Sequence, residues 1–287
     1  MRVGLASRNI LGMRVDATSY EETSEYVARW ATEGRSAYVC VANVHMTMET
    51  RDSEEFRKVV NGADLVTPDG KPLVWALKGL GAENASQVRG ADLVTHVIER
   101  AAREGIPVGL YGGTPESLED FTRVIGQRFP NARVACQIAP PFRPLTFEED
   151  RAVVRRVQES GARILLVGIG CPRQERWMSE HRGKFGAVML GVGAAFDFHT
   201  GRVRQAPRWM QKAGLEWAFR LMMDPRRLWK RYAKHNPRFL GLLMLQLLAY
   251  RRGEMRGYRE GRGGGDGFGG MERLGGIPTG KADEVSR

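Results

Sequence analysis

Residues 163–185 read RILLVGIGCPRQERWMSEHRGKF, and this stretch decides the fold. Its first part, RILLVGIG, is a short continuous apolar run, which predicts a strand that is buried on both faces. Its second part, PRQERWMSEHRGKF, predicts a helix that follows the strand after a short glycine loop. A strand followed directly by a helix is the unit from which parallel, helix-covered sheets are built.

The same unit recurs from about residue 36 onward. The other strand-like runs are AYVCVAN, ADLVT, PVGLYGG, RVACQIA and AVMLGVG, and the other helical stretches include ADLVTHVIERAAREG, TPESLEDFTRVIGQRF and TFEEDRAVVRRVQES. Thr114 is a plausible N-cap and Pro115 stands at the first helical position after it. We therefore expect one α/β domain over residues 1–198, a mainly parallel, Rossmann-like sheet covered by helices.

Glycine loops follow two of the predicted strands. YGGTPES places Gly112 and Gly113 between a strand and a helix, and VGIGCPRQE does the same with Gly168 and Gly170. Ligands of parallel sheets bind beyond the carboxyl ends of the strands, where backbone N–H groups at a helix start can hold a phosphate. Neither loop matches a complete dinucleotide or P-loop pattern, so tight packing of strand against helix is an equal alternative.

The stretch VTPDGKPLVW, residues 66–75, places the carboxylate of Asp69 between a proline and a glycine at the end of a predicted strand. The turn leaves the acid little conformational freedom. Two interpretations stay open from the residues alone. Asp69 either caps the helix that begins near Pro72 or takes part in chemistry at the mouth of the strand.

Further polar and aromatic residues stand near strand ends. Asn43 in VANVH can bind a ligand or cap a helix, and His45 is a lone histidine with no partner at ligand spacing. Gln174 lies in the first turn of its helix and is a candidate for binding a sugar hydroxyl or carbonyl. Asp197 in FDFHTG can hold ribose hydroxyls or cap a turn. Phe142 in APPFRP can stack on a base if it is exposed, although burial is more common for phenylalanine.

The sequence indicates neither a metal site nor a disulfide. Cys40, Cys136 and Cys171 are scattered and have no metal-ligand spacing, so we expect free thiols, buried at the first two positions. The chain has no D-x-D pair, the acidic pair that commonly holds Mg²⁺ or Mn²⁺ on a nucleotide diphosphate. We expect no obligatory metal and no cofactor.

The positive charge of the chain is confined to one segment. The formal net charge is +11, and residues 201–260 hold 15 Lys/Arg against 4 Asp/Glu, which leaves 29 basic and 29 acidic residues elsewhere. A neutral body with a basic arm indicates an anionic partner for the arm. We expect residues 199–252 to form a basic, aromatic-rich helical appendage.

The appendage combines cations with aromatic and apolar residues. Helices are expected from Pro207 to about Arg252, with Pro225 and Pro237 breaking them into three short pieces. The run FLGLLMLQLLAY is about half the ~20 residues that a membrane-spanning helix needs. An interfacial anchor on anionic lipid is favoured over nucleic-acid binding, and a helical appendage packed on the body is the third alternative. The glycine-rich residues 253–287 are expected to be disordered.

Several long motifs in order resemble the WecG/TagA/CpsF family of bacterial glycosyltransferases. They are TPDGKPLVW, VRGADL, YGG, GIGCPRQERW, GVGAAFDFHTGRVRQAPRWMQKAGLEWAFRL and DPRRLWKRY, and the resemblance covers about residues 10–240. It implies a fold of the GT-E type and an inverting, metal-independent transfer of a sugar from a UDP-sugar. N-acetylmannosamine or its uronic acid is the typical sugar, and the typical acceptor is a lipid diphosphate such as undecaprenyl-diphosphate-GlcNAc.

The resemblance also assigns roles to residues. It implies that Asp69 is the catalytic base. The other positions that it implicates are Asn43, Arg89 and Gln174 in the pocket, Arg220, Arg227 and Lys230 in the appendage, and Phe142 and Asp197 at the uridine. The appendage is expected to close over the site at the inner face of the cell membrane, so we expect a cytoplasmic, peripheral protein. One departure is Val41, where the family often has a threonine.

Two other classes of function stay open. A non-catalytic nucleotide-sugar-binding module would keep the glycine loops and Phe142 but would not need Asp69. An adaptor for a membrane surface would use the basic appendage alone. A nicotinamide-dependent oxidoreductase is disfavoured, because the chain lacks G-x-G-x-x-G with an acid about 20 residues on. The oligomeric state is left open, since subunit contacts could help to complete such a site.

Overall fold

The computed structural model describes residues 4–253. The strands are β1 (Ser7–Ile10), β2 (Met13–Asp16), β3 (Ala37–Ala42), β4 (Leu65–Pro68), β5 (Val108–Gly112), β6 (Val134–Ile138), β7 (Ile164–Gly168) and β8 (Val188–Gly191). The helices are α1 (Tyr20–Thr32), α2 (Val44–Asp52), α3 (Glu54–Asn61), α4 (Lys71–Gly79), α5 (Gly90–Glu104), α6 (Pro115–Arg128), α7 (Phe147–Ser160), α8 (Arg173–His181), α9 (Ala195–His199), α10 (Arg208–Lys212), α11 (Glu216–Met223) and α12 (Pro225–Arg251). The glycine-rich tail that the sequence predicts to be disordered lies outside the described residues, except for Gly253.

Six strands form one parallel sheet in the order β4-β3-β8-β7-β5-β6, which confirms the expected fold class. One face packs on α1, α5, α6 and α9, and the other packs on α2, α3, α4, α7, α8 and α12. The interior strand β3, which lies between β4 and β8, is buried at every position. Since both faces are covered, the strands are continuous apolar runs, the pattern from which they were predicted. All six carboxyl ends lie along the same edge of the sheet.

An antiparallel hairpin of β1 and β2 precedes the sheet, and the sequence analysis did not predict it. Its two-residue turn has positive φ at both positions, +54° at Leu11 and +101° at Gly12. Such turns match the twist of a hairpin, but Asn-Gly or Asp-Gly is their usual signal and Leu-Gly is not. Asp16 Oδ2 accepts a hydrogen bond of 2.7 Å from the Val66 N–H, which holds β2 beside β4.

Two local predictions are confirmed. Thr114 is the N-cap of α6 and forms a reciprocal capping box with Ser117. Cys40 and Cys136 are buried free thiols. Both predictions depend on the properties of the residue type and its near neighbours in the chain, so the sequence alone was sufficient to make them.

The appendage differs from its prediction at one proline. Pro225 begins α12, as expected, but Pro237 lies inside this helix and does not end it. A proline inside a helix costs about 3 kcal/mol. Tertiary contacts offset that cost, because Phe239 and Leu243 enter the core beneath the sheet. Gln246 also accepts from the Leu11 N–H and donates to the Asn9 carbonyl.

The appendage is therefore fastened to the body by its last helix. At 27 residues, α12 is about 40 Å long, and it packs along α2 and α4. Among the described residues, no helix is both long enough and apolar enough to span a bilayer. The expected boundary at residue 198 falls one residue before the end of α9, and the division into domains stays a prediction.

Candidate active site

Asp69 lies at the carboxyl end of β4, beside the end of β3. Its N–H donates to the Ala42 carbonyl at 2.8 Å, which continues the pairing of β3 with β4 by one residue. Asn43 follows Ala42, so Asn43 and Asp69 each come directly after one of two adjacent strands, which are about 4.8 Å apart. The Asp69 carbonyl also accepts from Gln87 Nε2 at 2.6 Å, so its backbone is held on both sides.

The Asp69 side chain does not cap the helix that follows it. Gly70 is the N-cap of α4, and that cap has no side-chain hydrogen bond. Asp69 Oδ1 instead accepts a hydrogen bond of 3.3 Å from the N–H of Gly90, the first residue of α5. The interpretation of Asp69 as the cap of α4 is thus wrong. The carboxyl group faces the positive end of another helix, at the mouth of the sheet.

The surroundings of Asp69 raise its pKa to about 6. Burial is the main cause, because desolvation disfavours the carboxylate, and the negative charge of Glu216 adds to it. Arg220, Arg89 and the Gly90 N–H lower the pKa in turn. A carboxyl group with a pKa of about 6 is mostly ionised at pH 7 yet still accepts a proton readily, as a general base must.

Arg89, which is buried, joins the body of the protein to its appendage. Its Nη1 donates to Asp92 Oδ2 at 2.9 Å and to Gln211 Oε1 at 2.6 Å, and its Nε donates to Glu216 Oε2 at 3.1 Å. Its backbone N–H donates to the hydroxyl of Tyr20 at 3.0 Å. Asp92 and Tyr20 belong to the body, whereas Gln211 and Glu216 belong to the appendage.

Arg220, which belongs to α11, contacts the same glutamate as Arg89. Its Nη2 is 3.1 Å from Glu216 Oε1, so Glu216 lies between the guanidinium groups of Arg89 and Arg220. The Arg220 guanidinium also stacks over the ring of Phe198 at 4.9 Å. Its Nε is buried and has no hydrogen-bond partner within residues 4–253. Two cations therefore meet beside the Asp69 carboxyl, one from each part of the chain.

The candidate site thus combines the Asp69 carboxyl, the Asn43 amide on the neighbouring strand end and the guanidinium groups of Arg89 and Arg220. These groups suit a reaction that removes a proton from one oxygen and stabilises negative charge on others. A model of the Glycosyl transferase WecG/TagA/CpsF family matches residues 8–253. The chain belongs to this family. Membership implies a glycosyltransferase of cell-surface polysaccharide synthesis, with a nucleotide-sugar donor and a lipid-linked acceptor.

Asn43 is the N-cap of α2 in this family member, one of the two roles that its sequence position allows. Its Oδ1 accepts from the Met46 N–H at 3.2 Å. No hydrogen bond among residues 4–253 uses its Nδ2, which stays available for a ligand at the strand end. The cap role and a substrate contact are therefore compatible, since each uses a different atom.

Gln174 is buried, and its side chain holds two glycine loops together. Its Oε1 accepts from the Gly170 N–H and from the Gly193 N–H, both at 3.2 Å. Its Nε2 donates to Glu175 Oε1 at 2.7 Å. Glu175 is fully buried, and burial raises its pKa to about 7. In this geometry Gln174 positions the loops after β7 and β8, and a direct contact with sugar stays a prediction.

Gly112 packs against the backbone of the next loop, and Gly113 packs against a side chain of α6. A Cβ on Gly112 would lie 2.5 Å from the Gly168 carbonyl oxygen, and one on Gly113 would lie 2.4 Å from Ser117 Oγ. Close packing is therefore enough to explain why both positions are glycine. Both residues also lie at the carboxyl ends of the strands, where a nucleotide-sugar donor is expected to bind. Asp197 is partly buried in α9, next to Phe196, which contacts Gly168.

One expected site residue, Phe142, lies far from Asp69 along the sheet. Phe142 is 80% exposed in the loop after β6, so its ring is free to stack, but β6 is five strand spacings or about 24 Å from β4. Lys230 is exposed, with its Nζ 5.9 Å from the Trp229 ring centroid. Arg227 belongs to α12, and its side chain lies outside the described part of the structure.

Four residues that the sequence analysis missed contact the site directly or through Arg89 and Gln174. They are Asp92, Glu175, Gln211 and Glu216. Glu216 had a usable signal, because it is one of only 4 acids in the basic segment 201–260. The others have no local signal, since their partners are brought to them by the tertiary structure.

Proposed function

We propose that this chain is an inverting, metal-independent hexosyltransferase. It moves N-acetylmannosamine, or a related hexose or uronic acid, from a UDP-sugar to a sugar on undecaprenyl diphosphate. The product enters cell-surface polysaccharide or teichoic-acid synthesis. The observation that carries the proposal is the Asp69 carboxyl, with a pKa of about 6, held beside two guanidinium groups.

The proposed chemistry begins at the acceptor. Asp69 takes the proton of an acceptor hydroxyl, and the oxygen attacks the anomeric carbon from the face opposite UDP. The bond from the anomeric carbon to the diphosphate oxygen breaks, and its electron pair leaves with UDP. Because the attack comes from the opposite face, the configuration of the anomeric carbon inverts.

The departing diphosphate needs positive charge. Arg89 and Arg220 offer two guanidinium groups, each suited to bidentate contact with phosphate oxygens. Glu216 bridges both in the present arrangement, so a diphosphate that binds them must displace or share this carboxylate. Arg227 and Lys230 are further candidates on α12. Gly112, Gly113, Asp197 and Phe142 are proposed to hold the nucleotide along the row of strand ends.

The appendage is proposed to bind the inner face of the cell membrane. It exposes Trp209, Trp217, Met222, Met223, Trp229, Leu240, Met244, Leu245 and Leu248, and the neighbouring Trp75 of α4 is exposed as well. Aromatic and apolar side chains interleaved with cations suit an anionic lipid surface. Since Arg220 belongs to this appendage, binding to lipid would set the position of a site residue.

A panel of UDP-sugars tested against undecaprenyl-diphosphate-GlcNAc examines the proposal. We expect transfer from one or a few donors, and a loss of about 10²-fold or more in Asp69→Asn, because the base is gone. Glu159→Gln changes an exposed side chain near the end of α7, at the amino ends of the strands and opposite Asp69, so it is the control and should keep the wild-type rate. UDP binding without turnover on any acceptor would instead favour a non-catalytic nucleotide-sugar-binding protein. Vesicle binding without UDP binding would favour a membrane adaptor.

A further inference from the structure

Two histidines and a glutamate meet between α2 and α12. His45 and Glu49 are one turn apart on α2, and His235 faces them from α12. Glu49 Oε1 is 3.8 Å from His45 Nδ1 and 3.7 Å from His235 Nε2. One ligand atom from each residue lies within 4.8 Å of the other two. The sequence could not show this cluster, because His235 is 190 positions from His45.

The helices that carry the cluster are held together nearby. Arg238 Nη1 donates to Asp52 Oδ2 at 2.6 Å, one turn further along both α2 and α12. The rings of His45 and His235 are 5.3 Å apart between centroids. The ion pair and the ring contact thus hold the two helices, and with them the three side chains, close together, as a binding site requires.

Two imidazole nitrogens lack the hydrogen bonds that buried polar groups normally make. Among residues 4–253, neither His45 Nδ1 nor His235 Nδ1 has a hydrogen-bond partner. His235 is 4% exposed, and its Nε2, the atom that faces Glu49, is too far from Glu49 Oε1 for a hydrogen bond. An unpartnered buried atom costs about 1–3 kcal/mol, so an ion that binds His45 Nδ1 would offset that cost at this atom.

Two imidazoles and one carboxylate form a donor set for divalent transition metals, Zn²⁺ above all. At bond lengths near 2.0–2.1 Å, ligand atoms of a tetrahedral site are about 3.3 Å apart, so small side-chain movements would close the present distances.

We propose that His45, Glu49 and His235 bind one divalent transition-metal ion of the Zn²⁺ class. The ion would join α12 to α2, the helix that begins at Asn43, and would fix the appendage beside the candidate pocket. It would contact no reacting atom, so it is compatible with sugar transfer that needs no metal. The proposal does not depend on the proposed function.

Co²⁺ binding to the chelator-treated full-length protein tests the site. We expect one equivalent of Co²⁺ with the visible absorption bands of a low-symmetry site, and displacement of it by Zn²⁺. Glu49→Gln and His45→Asn should each weaken binding by about 10-fold or more. His199→Asn is the matched control, since His199 bonds the Ala91 carbonyl elsewhere in the fold, and it should bind like the wild type.

Thermal unfolding gives a second readout. An ion that binds only the folded protein raises its Tm. Zn²⁺ should therefore raise the Tm of the wild type and of His199→Asn, and it should leave the Tm of Glu49→Gln unchanged. Glu49 is only partly buried, so its isosteric amide is expected to fold. Equal Co²⁺ affinity in the wild type and in Glu49→Gln, or no stoichiometric binding, would overturn the proposal.

Discussion

Arg89 Nε and Glu216 Oε2 are 3.1 Å apart, although 127 positions separate the two residues in the chain. The contact joins the start of α5 to the start of α11. The first N–H of α5 donates a hydrogen bond to Asp69, and α11 carries Arg220. Glu216 raises the pKa of Asp69, whereas both arginines lower it. The protonation of the candidate base therefore depends on whether the appendage is in place.

Glu216→Gln should move the acid limb of the pH–rate profile to lower pH. The active form of the base is the carboxylate, which is present above the Asp69 pKa of about 6 and lost as the pH falls through it. Removing a negative neighbour makes that carboxylate easier to form, so activity should persist to lower pH. The measurement is kcat/KM from pH 5 to about 8. An acid limb that keeps its position or moves to higher pH would contradict the proposed effect of Glu216 on the pKa of Asp69.

Asp92→Asn is the matched control for this prediction. It also takes an acidic partner from Arg89, with its Oδ2 2.9 Å from Nη1, but Glu216 and not Asp92 is the main acidic group that raises the pKa of Asp69. The acid limb should therefore stay where it is in Asp92→Asn. A shift equal to that of Glu216→Gln would show that loosening Arg89, and not the charge of Glu216, is responsible.

Arg220→Ala should lower kcat/KM by about 10²-fold, since a preorganised charged donor to the departing phosphate is lost. Removing its positive charge should also raise the pKa of Asp69, so the acid limb moves to higher pH, opposite to Glu216→Gln. Arg251→Ala is the comparison, because Arg251 is an exposed arginine at the end of α12 with no role in the proposed site. On an acceptor dissolved in detergent we expect Arg251→Ala to change the rate by less than about 3-fold. Equal losses in both variants would show that the charge of the appendage, and not a contact of Arg220, is responsible.

The sheet could be predicted from the sequence because its physical cause is local. Strands covered on both faces must be apolar throughout, and AYVCVAN and RILLVGIG meet that condition within a few residues. Asp69 and Asn43 could be placed at one edge for the same reason, since parallel strands end together. The hairpin of β1 and β2 was missed because Leu11-Gly12 is not a usual turn pair.

The rest of the site could not be predicted because it depends on distant partners. The residues near Glu216 in the sequence do not predict its contact with Arg89. The residues near Gln174 likewise do not predict that its side-chain oxygen accepts hydrogen bonds from both Gly170 and Gly193. Pro237 was expected to end a helix by a rule that is sound for an isolated helix. Burial of Phe239 in the core overrides that rule.

Gln174→Ala should destabilise the protein by about 1–3 kcal/mol for each buried N–H left without a partner. The N–H groups concerned are those of Gly170 and Gly193, and loosening them should also weaken UDP binding if the donor lies along these loops. Gln158→Ala removes an exposed glutamine that donates to the Lys184 carbonyl and should change Tm little. Calorimetry and UDP titration test both variants. An unchanged Tm with a raised KM would assign Gln174 to sugar contact instead of loop positioning.

The outer face of α12 should decide binding to lipid. Leu240 and Leu245 are 56% and 65% exposed, whereas Phe239 and Leu243 on the inner face are buried, so the outer pair can be changed without disturbing the core. Each leucine transferred into lipid contributes about 1.5–3 kcal/mol, so Leu240→Ser with Leu245→Ser should lower vesicle affinity by about 10²-fold or more.

Flotation with vesicles that contain anionic lipid measures this effect, with Phe147→Ser as the control. Phe147 is 71% exposed at the start of α7, outside the appendage, so its loss should leave flotation unchanged. Raising the salt should weaken the wild type only in part, because salt screens the cations of the appendage but not its apolar contacts. Unchanged flotation of the double variant would show that this face does not enter the bilayer, and that any attraction to lipid comes from charge alone.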